Sequence, residues 1–444
     1  MALVWCVVLW AAQILEQAQR LAWQKDFAAA EKLYRQVLQS NPASREAKFG
    51  LAQVLLWEGR YREARHLFQS LKGADAVEGA ATAAYWQGDF RTAAREFAAI
   101  SQRPFARQSL AEIRSASAGD IRITAEGLDD NQPYRAWRSS AIVSSFSDPL
   151  TRWDATAGGY GLHDLDRGIA RTEPFVNVAN SYVLPWQRLT ITTSAGAIRY
   201  PDGKTRPTGE VTLSRKLSPN ASLMIMGEHR ELLTNATAID THASLTRIAA
   251  GWSRYEPRGW MAGVEAGHNR YFDRNDGNYA QGYALWPIAK RQRTTIWLGG
   301  SAAARNTRED RFELDAISST LAGNVFSYSY RGSYRGYWSP RDLREVRAIV
   351  TVAHTIRKDA ELKAQVEGGV AHDQARAFGP ASGSSPLPST IFTIAFNRTF
   401  HPYRLSAGLS LPIVSAYRLQ FDIERSVTVF YAANAFRASL VRHR

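Results

Sequence analysis

The chain of 444 residues has a single cysteine, Cys6. No disulfide can therefore form within it, and no cysteine-based metal site can be built. It also lacks any run of the roughly 18 to 20 apolar residues that a membrane helix requires. The one marked apolar stretch, MALVWCVVLWAAQ, opens the chain with no Lys or Arg before it. It fits the h-region of an export signal, with Ala11 and Ala12 near the cleavage position. Residues 1–12 are read as such a segment, the alternative being the first helix of the domain that follows. Any further membrane contact must then be made by strands.

Enzyme signatures are missing too. There is no G-x-S-x-G elbow, P-loop, H-E-x-x-H or paired-carboxylate pattern, so the expectation is a protein that is not an enzyme, with no cofactor and no metal. RYFDRNDGNY around Asp273 imitates a calcium loop, but Gly277 falls where a ligand belongs and no Glu closes it, which leaves a hairpin turn. HDLDR, His163 to Arg167, reads as an exposed polar loop.

Charge is not balanced: 55 Lys and Arg stand against 41 Asp and Glu, a net +14. Residues 120–444 carry 40 against 30, so +10 belongs to that part. A basic chain suits anionic partners; a codon bias toward Arg accounts for the excess of Arg over Lys but less well for the net sign.

Composition divides the chain near residue 119. Ahead of it, rich in Ala, Leu, Glu and Gln, three segments repeat: LAWQKDFAAAEKLYRQVLQSNP, LLWEGRYREARHLFQSL and AYWQGDFRTAAREFAAI. Aligned, they match Phe27, Tyr61 and Phe90; then Ala30, Ala64 and Ala93; then Tyr34, Phe68 and Phe97, with Gly59 and Gly88 at the turn. A small residue where two helices cross and an aromatic knob on the next unit resemble the tetratricopeptide repeat, and Pro42 closes the first unit as in that family. The first interval is 34 residues and the second 29, which places a shortening in the loop or helix after Leu71. The repeats are assigned to residues 13–100 and a connecting helix to 101–119. The resemblance implies a docking scaffold.

From Asp120 onward, period-two alternation recurs about every 20 residues, punctuated by turns such as PDGK, SPNA and RNDGN. In RLQFDIERS, Leu419, Phe421 and Ile423 share one face while Arg418, Gln420, Asp422 and Glu424 share the other. In Glu361 to Val370, Leu362, Ala364 and Val366 oppose Lys363, Gln365 and Glu367. About sixteen such strands are too many for one sandwich, and the second faces are too polar for a second core. The fold expected for residues 120–444 is therefore a transmembrane antiparallel β-barrel, apolar faces to lipid and polar faces to a wet lumen. Trp153, Tyr160, Tyr182, Trp186, Tyr200, Trp252, Tyr255, Trp260, Tyr271, Trp286 and Trp297 are expected in interfacial girdles. Lys363, Gln365, Glu367, Arg418, Gln420, Asp422 and Glu424 are the expected lumen residues, and the +10 suggests a basic lumen or Arg-rich rims facing lipopolysaccharide phosphate. The stretch Asn306 to Asn324 is a candidate plug.

The run Ser333 to Val370, in which Tyr337, Trp338, Ser339 and Pro340 lead into a hairpin, resembles the late-barrel segment of exopolysaccharide-export porins. Repeats followed by a barrel are similar to the cellulose synthase C subunit and the poly-N-acetylglucosamine porin. Those families carry more repeats than three, which favours a smaller, YaiO-type relative. Such barrels normally end on an aromatic residue, whereas this chain ends LVRHR, with Phe436 the nearest aromatic. The resemblance implies an outer-membrane porin exporting an exopolysaccharide, anionic if the lumen is basic, with periplasmic repeats that hold the polymer or a synthase or modifying protein. Lipid and lipopolysaccharide would be its other partners, and nucleic acid is not expected. The alternative is a non-conducting barrel that anchors the repeats as an assembly platform.

Overall fold

The computed structural model describes residues 2–131, 134–165, 168–322, 325–334, 336–357, 360–380, 391–414, 416–429 and 432–443. The chain divides into two units, residues 1–118 with 145–152 and 182–189, and the remainder.

In the first unit, helices α1 (Ala2–Trp23), α2 (Phe27–Ser40), α3 (Arg45–Trp57), α4 (Tyr61–Gln69), α5 (Ala74–Gln87) and α6 (Phe90–Ala99) form three hairpins, and α7 (Pro104–Ala116) covers the last. Local chemistry sets their ends. Asp26, Ser44 and Asp89 accept from the backbone N–H of Ala29, Ala47 and Thr92 at 3.2, 3.3 and 3.1 Å, each satisfying an orphan donor of the first turn. Gly59 and Gly88 turn the chain at φ of 80° and 87°, and Pro104 opens α7, where its missing N–H costs nothing. Ala30, Ala64 and Ala93 are fully buried, and Tyr34, Phe68 and Phe97 are buried with them. Each of the first two knobs sits on a glycine of the next hairpin: a Cβ on Gly50 would lie 2.4 Å from the Tyr34 ring, and one on Gly79 would lie 2.5 Å from Phe68. Phe27, Tyr61 and Phe90 pack at the edge of these cores.

The shortening lies before Leu71, not after it. Helix α4 has 9 residues where α2 has 14, and that difference of five is the whole difference between the 34- and 29-residue intervals. Helix α1 is continuous from Ala2, and its later residues Ile14, Leu15, Ala18 and Ala22 pack into the first core. Segments 145–152 and 182–189 belong to this unit. In it the Trp186 indole donates to Asp89 at 2.8 Å, Gln87 donates to the Pro185 carbonyl at 2.6 Å, and Arg91 pairs with Asp148 at 2.7 Å. Trp186 is thus held by the helices and is no girdle residue.

In the second unit sixteen antiparallel strands close a barrel. The first, Asp120–Asp130, pairs with Ala432–His443 from Asp120↔His443 to Asp130↔Ala433. Three further strands stand outside the wall. Among the described residues, Phe312–Ala322 and Val325–Tyr334 pair only with each other. Ile391–Phe400 pairs with the far half of Ala360–Pro380, whose near half pairs with Tyr403–Val414. Ile391–Phe400, whose side chains also alternate, is therefore an extension beyond the wall. The connections differ in length between the two ends. Those at 149–150, 219–220 and 291–293 are short, whereas those at 232–243 and 308–340 are long.

Side-chain alternation follows the pleat. Ile248, Val264, Trp286, Val350, Val366, Phe421 and Ile423 are all exposed, Ile423 at 62 %. Their strand neighbours of opposite parity, such as Glu265, Leu285, Ile349, Glu367 and Asp422, turn to the other face. Since a closed sheet has only an outside and an inside, the exposed apolar set is the outer surface.

Candidate functional site: the barrel interior and its mouth

The interior holds a cavity of about 2440 Å³. Lys363, Gln365, Arg418, Gln420, Asp422 and Glu424 line it, while Glu367 is buried in the wall beside them, 7 % exposed. These residues come together because Ala360–Pro380, Tyr403–Val414 and Tyr417–Val427 are neighbours in the sheet with their even and odd positions in register. Glu367 is the hub: Arg347 reaches it at 3.2 Å, Arg404 at 3.8 Å, and the Gln365 amide donates to it at 2.5 Å. Arg404 also pairs with Glu424 at 3.2 Å, Arg347 with Glu345, and Arg437 with Glu126 at 2.7 Å. Arg418 donates to Ser410 at 3.0 Å. Opposite charges across adjacent strands thus hold one another against the wall.

Among the described residues the lining carries Arg138, Arg230, Arg305, Arg347, Arg404, Arg418, Arg437 and Lys363 against Glu126, Asp130, Glu210, Glu231, Glu345, Glu361, Asp422 and Glu424. Eight basic groups face eight acidic ones. The surplus of +10 therefore lies elsewhere, and the basic lumen expected from net charge is not what these residues form. Arg188, Arg215, Lys216, Lys290, Arg291 and Arg293 are exposed in or beside the short connections.

At the opposite end the long connection 232–243 folds inward. It contains a short helix, Ala236–Asp240, with Ala236, Ala238 and Ile239 buried. Leu162 and Tyr200 pack on Ala236 and Ile239, with Tyr160, Ile169 and Ile198 at the edge of the cluster. Arg171 pairs with Asp240 at 3.0 Å and His242 with Asp202 at 3.1 Å. The Asp202 carboxyl, in the turn 201–204, is held down at about 2 by the Lys204 backbone N–H and then by the Lys204 and His242 side chains. Beneath the helix Glu173 is fully buried, and neither of its carboxylate oxygens has a hydrogen-bond partner among the described residues.

The Tyr-Trp-Ser-Pro element fastens the same mouth. Tyr337 stacks on Tyr271 at 3.8 Å, accepts from Asn275 at 3.0 Å and donates to Asp273 at 2.9 Å. Burial pushes its hydroxyl well above the usual tyrosine range, so it remains a donor. Ser339 accepts from the Arg311 N–H at 2.8 Å, and the Pro340 carbonyl accepts from the Thr307 N–H at 2.9 Å. Asp273, also paired with Arg311 at 2.8 Å, is a structural clasp in a turn. No metal-holding group of acids, His and Cys occurs among the described residues. Asp166 and Arg167 of the HDLDR loop lie outside them, and Asp164 is buried rather than exposed.

Loop 232–243 folds inward, and of the candidate plug Asn306 to Asn324, Phe312 also lines the cavity. Of that stretch, residues 323 and 324 lie outside the description, and Phe312, at the base of its hairpin, stacks on Phe378 at 5.4 Å. Four expected girdle residues are also inside: Tyr200 and Trp297 are buried, Tyr271 stacks on Tyr337, and Tyr160 donates to the Leu233 carbonyl. Trp297 donates to the Gly259 carbonyl at 2.7 Å and packs with Leu285 and Ile349. Trp153, Tyr255 and Trp286 remain on the outside.

Residues 21–87 match the tetratricopeptide-repeat family model. No curated protein matches the chain in sequence. Among solved structures, a bacterial polysaccharide outer membrane secretin superposes with a TM-score of 0.53 at 10 % identity, over 74 % of this chain and 99 % of that one. The outer membrane protein opdK from Pseudomonas aeruginosa superposes with a TM-score of 0.37 at 9 % identity, over 73 % of this chain and 97 % of that one. The chain is a short run of tetratricopeptide repeats followed by a closed sixteen-stranded barrel of the porin-like, outer-membrane type.

Proposed function

We propose that the chain is an outer-membrane pore for export of an exopolysaccharide, with its repeats in the periplasm holding the polymer or a synthase or modifying protein. The observation that carries this reading is the interior: a large cavity walled by hydroxyls, amides and mutually paired charges. Such a wall offers many weak contacts and no single strong one, which is what a moving polymer needs. The exposed apolar outer face suits lipid, and a closed sheet satisfies its backbone there. The fold shared with a protein described as a polysaccharide secretin points the same way. Because the lining is balanced, a neutral polymer fits at least as well as an anionic one. Residues 1–12 would serve as the export signal. No catalytic role is proposed.

The inward loop favours a second reading, a closed barrel that anchors a docking platform. Single-channel conductance of the purified chain in planar bilayers separates the two. An export pore gives steps of weak ion selectivity that soluble oligosaccharides block. A folded barrel that stays silent, both intact and after deletion of residues 234–241, is the platform.

A further inference from the structure

The strongest unassigned feature is an aromatic row on the repeats. Trp23, Trp57 and Trp86 each stand four residues before the aligned aromatic of their own hairpin, Phe27, Tyr61 and Phe90. All three indoles are exposed, at 74, 41 and 44 %. They follow one another along the stack: Trp23 lies 6.4 Å from Trp57, Phe27 packs on Trp57 at 5.9 Å, and Tyr61 packs on Trp86 at 6.2 Å. Each packed ring is therefore propped by the preceding repeat while part of it stays open to solvent. Polar side chains stand next in sequence, Gln24, Glu58 and Gln87, the last taken by the Pro185 carbonyl.

The core of a helical hairpin does not ask for these indoles, since the crossing is already filled by Ala30, Ala64 and Ala93 and by the buried knobs. At those exposures the three present roughly 400 Å² in all, taking about 250 Å² per side chain. That is half of the about 800 Å² per partner buried in a stable protein interface. The rings stand in repeat register, Trp23 and Trp57 side by side. A ligand that uses them one after another must itself repeat, and it must offer flat C–H faces to indole with hydroxyls around the edge. A pyranose polymer has both features.

We infer that Trp23, Trp57 and Trp86 form a carbohydrate-binding track that holds successive sugar rings of a linear polysaccharide by stacking. The inference rests on the polysaccharide reading above and places a polymer site on the repeats, outside the barrel lumen. The test is calorimetric titration of the full chain in detergent with cellohexaose and N-acetylchitohexaose, against the corresponding disaccharides. At least one hexasaccharide should bind more tightly than its disaccharide. Trp23→Ala, Trp57→Leu and Trp86→Leu should each weaken binding about three- to tenfold, and the triple variant should abolish it while helicity and heat-modifiable gel mobility stay unchanged. The leucines keep a prop for Phe27 and Tyr61 so that loss of binding is not loss of fold. Failure of the wild type to bind either hexasaccharide, or unchanged binding by the folded triple variant, overturns the inference. Channel block by the same sugars is read separately: block that persists in the triple variant leaves the pore reading standing whatever the track does, and binding at the track without block supports the track alone.

Discussion

Ile423 and Gln420 lie three residues apart on Tyr417–Val427, an odd spacing that the pleat sends to opposite faces. At about 3.4 Å per residue and a tilt near 45°, the strand's 11 residues cross roughly 26 Å, the height of an outer-membrane apolar band. Ile423 is one residue from the central Asp422, hence about 2 to 3 Å from the midplane. Arg placed at that depth on the lipid side costs about 2–4 kcal/mol. Gln420, paired with Ser410 and Ser439 across the strand, faces the polar cavity, and Arg there should cost less than about 1 kcal/mol. Ile423→Arg and Gln420→Arg, folded into vesicles and unfolded in guanidinium, should thus differ by at least about 1–2 kcal/mol, with Ile423→Arg the less stable. Equal costs, or the reverse order, would refute the assignment of inside and outside on which the pore reading depends.

Phe68→Ala should lower the stability of the helical unit by about 3–5 kcal/mol, because the ring is 1 % exposed and seated on Gly79; thermal circular dichroism of the helices measures it, and a loss below about 1 kcal/mol would count against the knob. Gly79→Val forces a branched side chain into the Phe68 ring and should cost about 1–3 kcal/mol by overpacking, read in the same melt. Glu173→Gln replaces a buried carboxyl that lacks a hydrogen bond among the described residues; at alkaline pH, where the carboxyl is ionised, it should tighten the inward loop by about 1–3 kcal/mol, seen as slower amide exchange over residues 232–243. The Asp202 carboxyl is held at about 2, below its unfolded value near 4. Its contribution to the turn is therefore complete above about pH 4 and lost as pH falls toward 2, so Lys204 amide protection should drop across that window and Asp202→Asn should lack the step.

The repeats were legible because their chemistry is local and copied: small crossing residues, knobs and turn glycines recur at fixed spacing. Gly50 and Gly79 escaped because a glycine that receives a neighbour's ring has no signature beyond its size. In the barrel, alternation identified which residues share a face, and it separated Phe421 and Ile423 from Gln420 and Asp422. It could not sort the aromatics. Tyr and Trp, apolar with one polar atom, suit a lipid interface and a packed mouth equally well, and only the partner atoms, such as the Gly259 carbonyl for Trp297, decide. Strand number ran the same way. The alternation of Ile391–Phe400 is real, but pairing to the far half of one long strand, invisible in sequence, puts it outside the wall. Net charge left lumen and rims undecided for a related reason: a sum over 325 residues carries no information on which of them meet across a cavity.

The seam between Asp120–Asp130 and Ala432–His443 makes the wall an all-or-none object. It joins positions more than 300 residues apart in sequence, at an entropic cost of roughly 5 kcal/mol that grows only logarithmically with length. Leaving it open would strip two strand edges of their partners over 11 register pairs, at several kcal/mol for each backbone group facing hydrocarbon. A half-zipped sheet therefore has nowhere to rest in a bilayer. Until the final strand arrives, the growing edge has to be held by something that can stand in for it, and that requirement, rather than any property of the finished pore, sets how such a chain can enter a membrane.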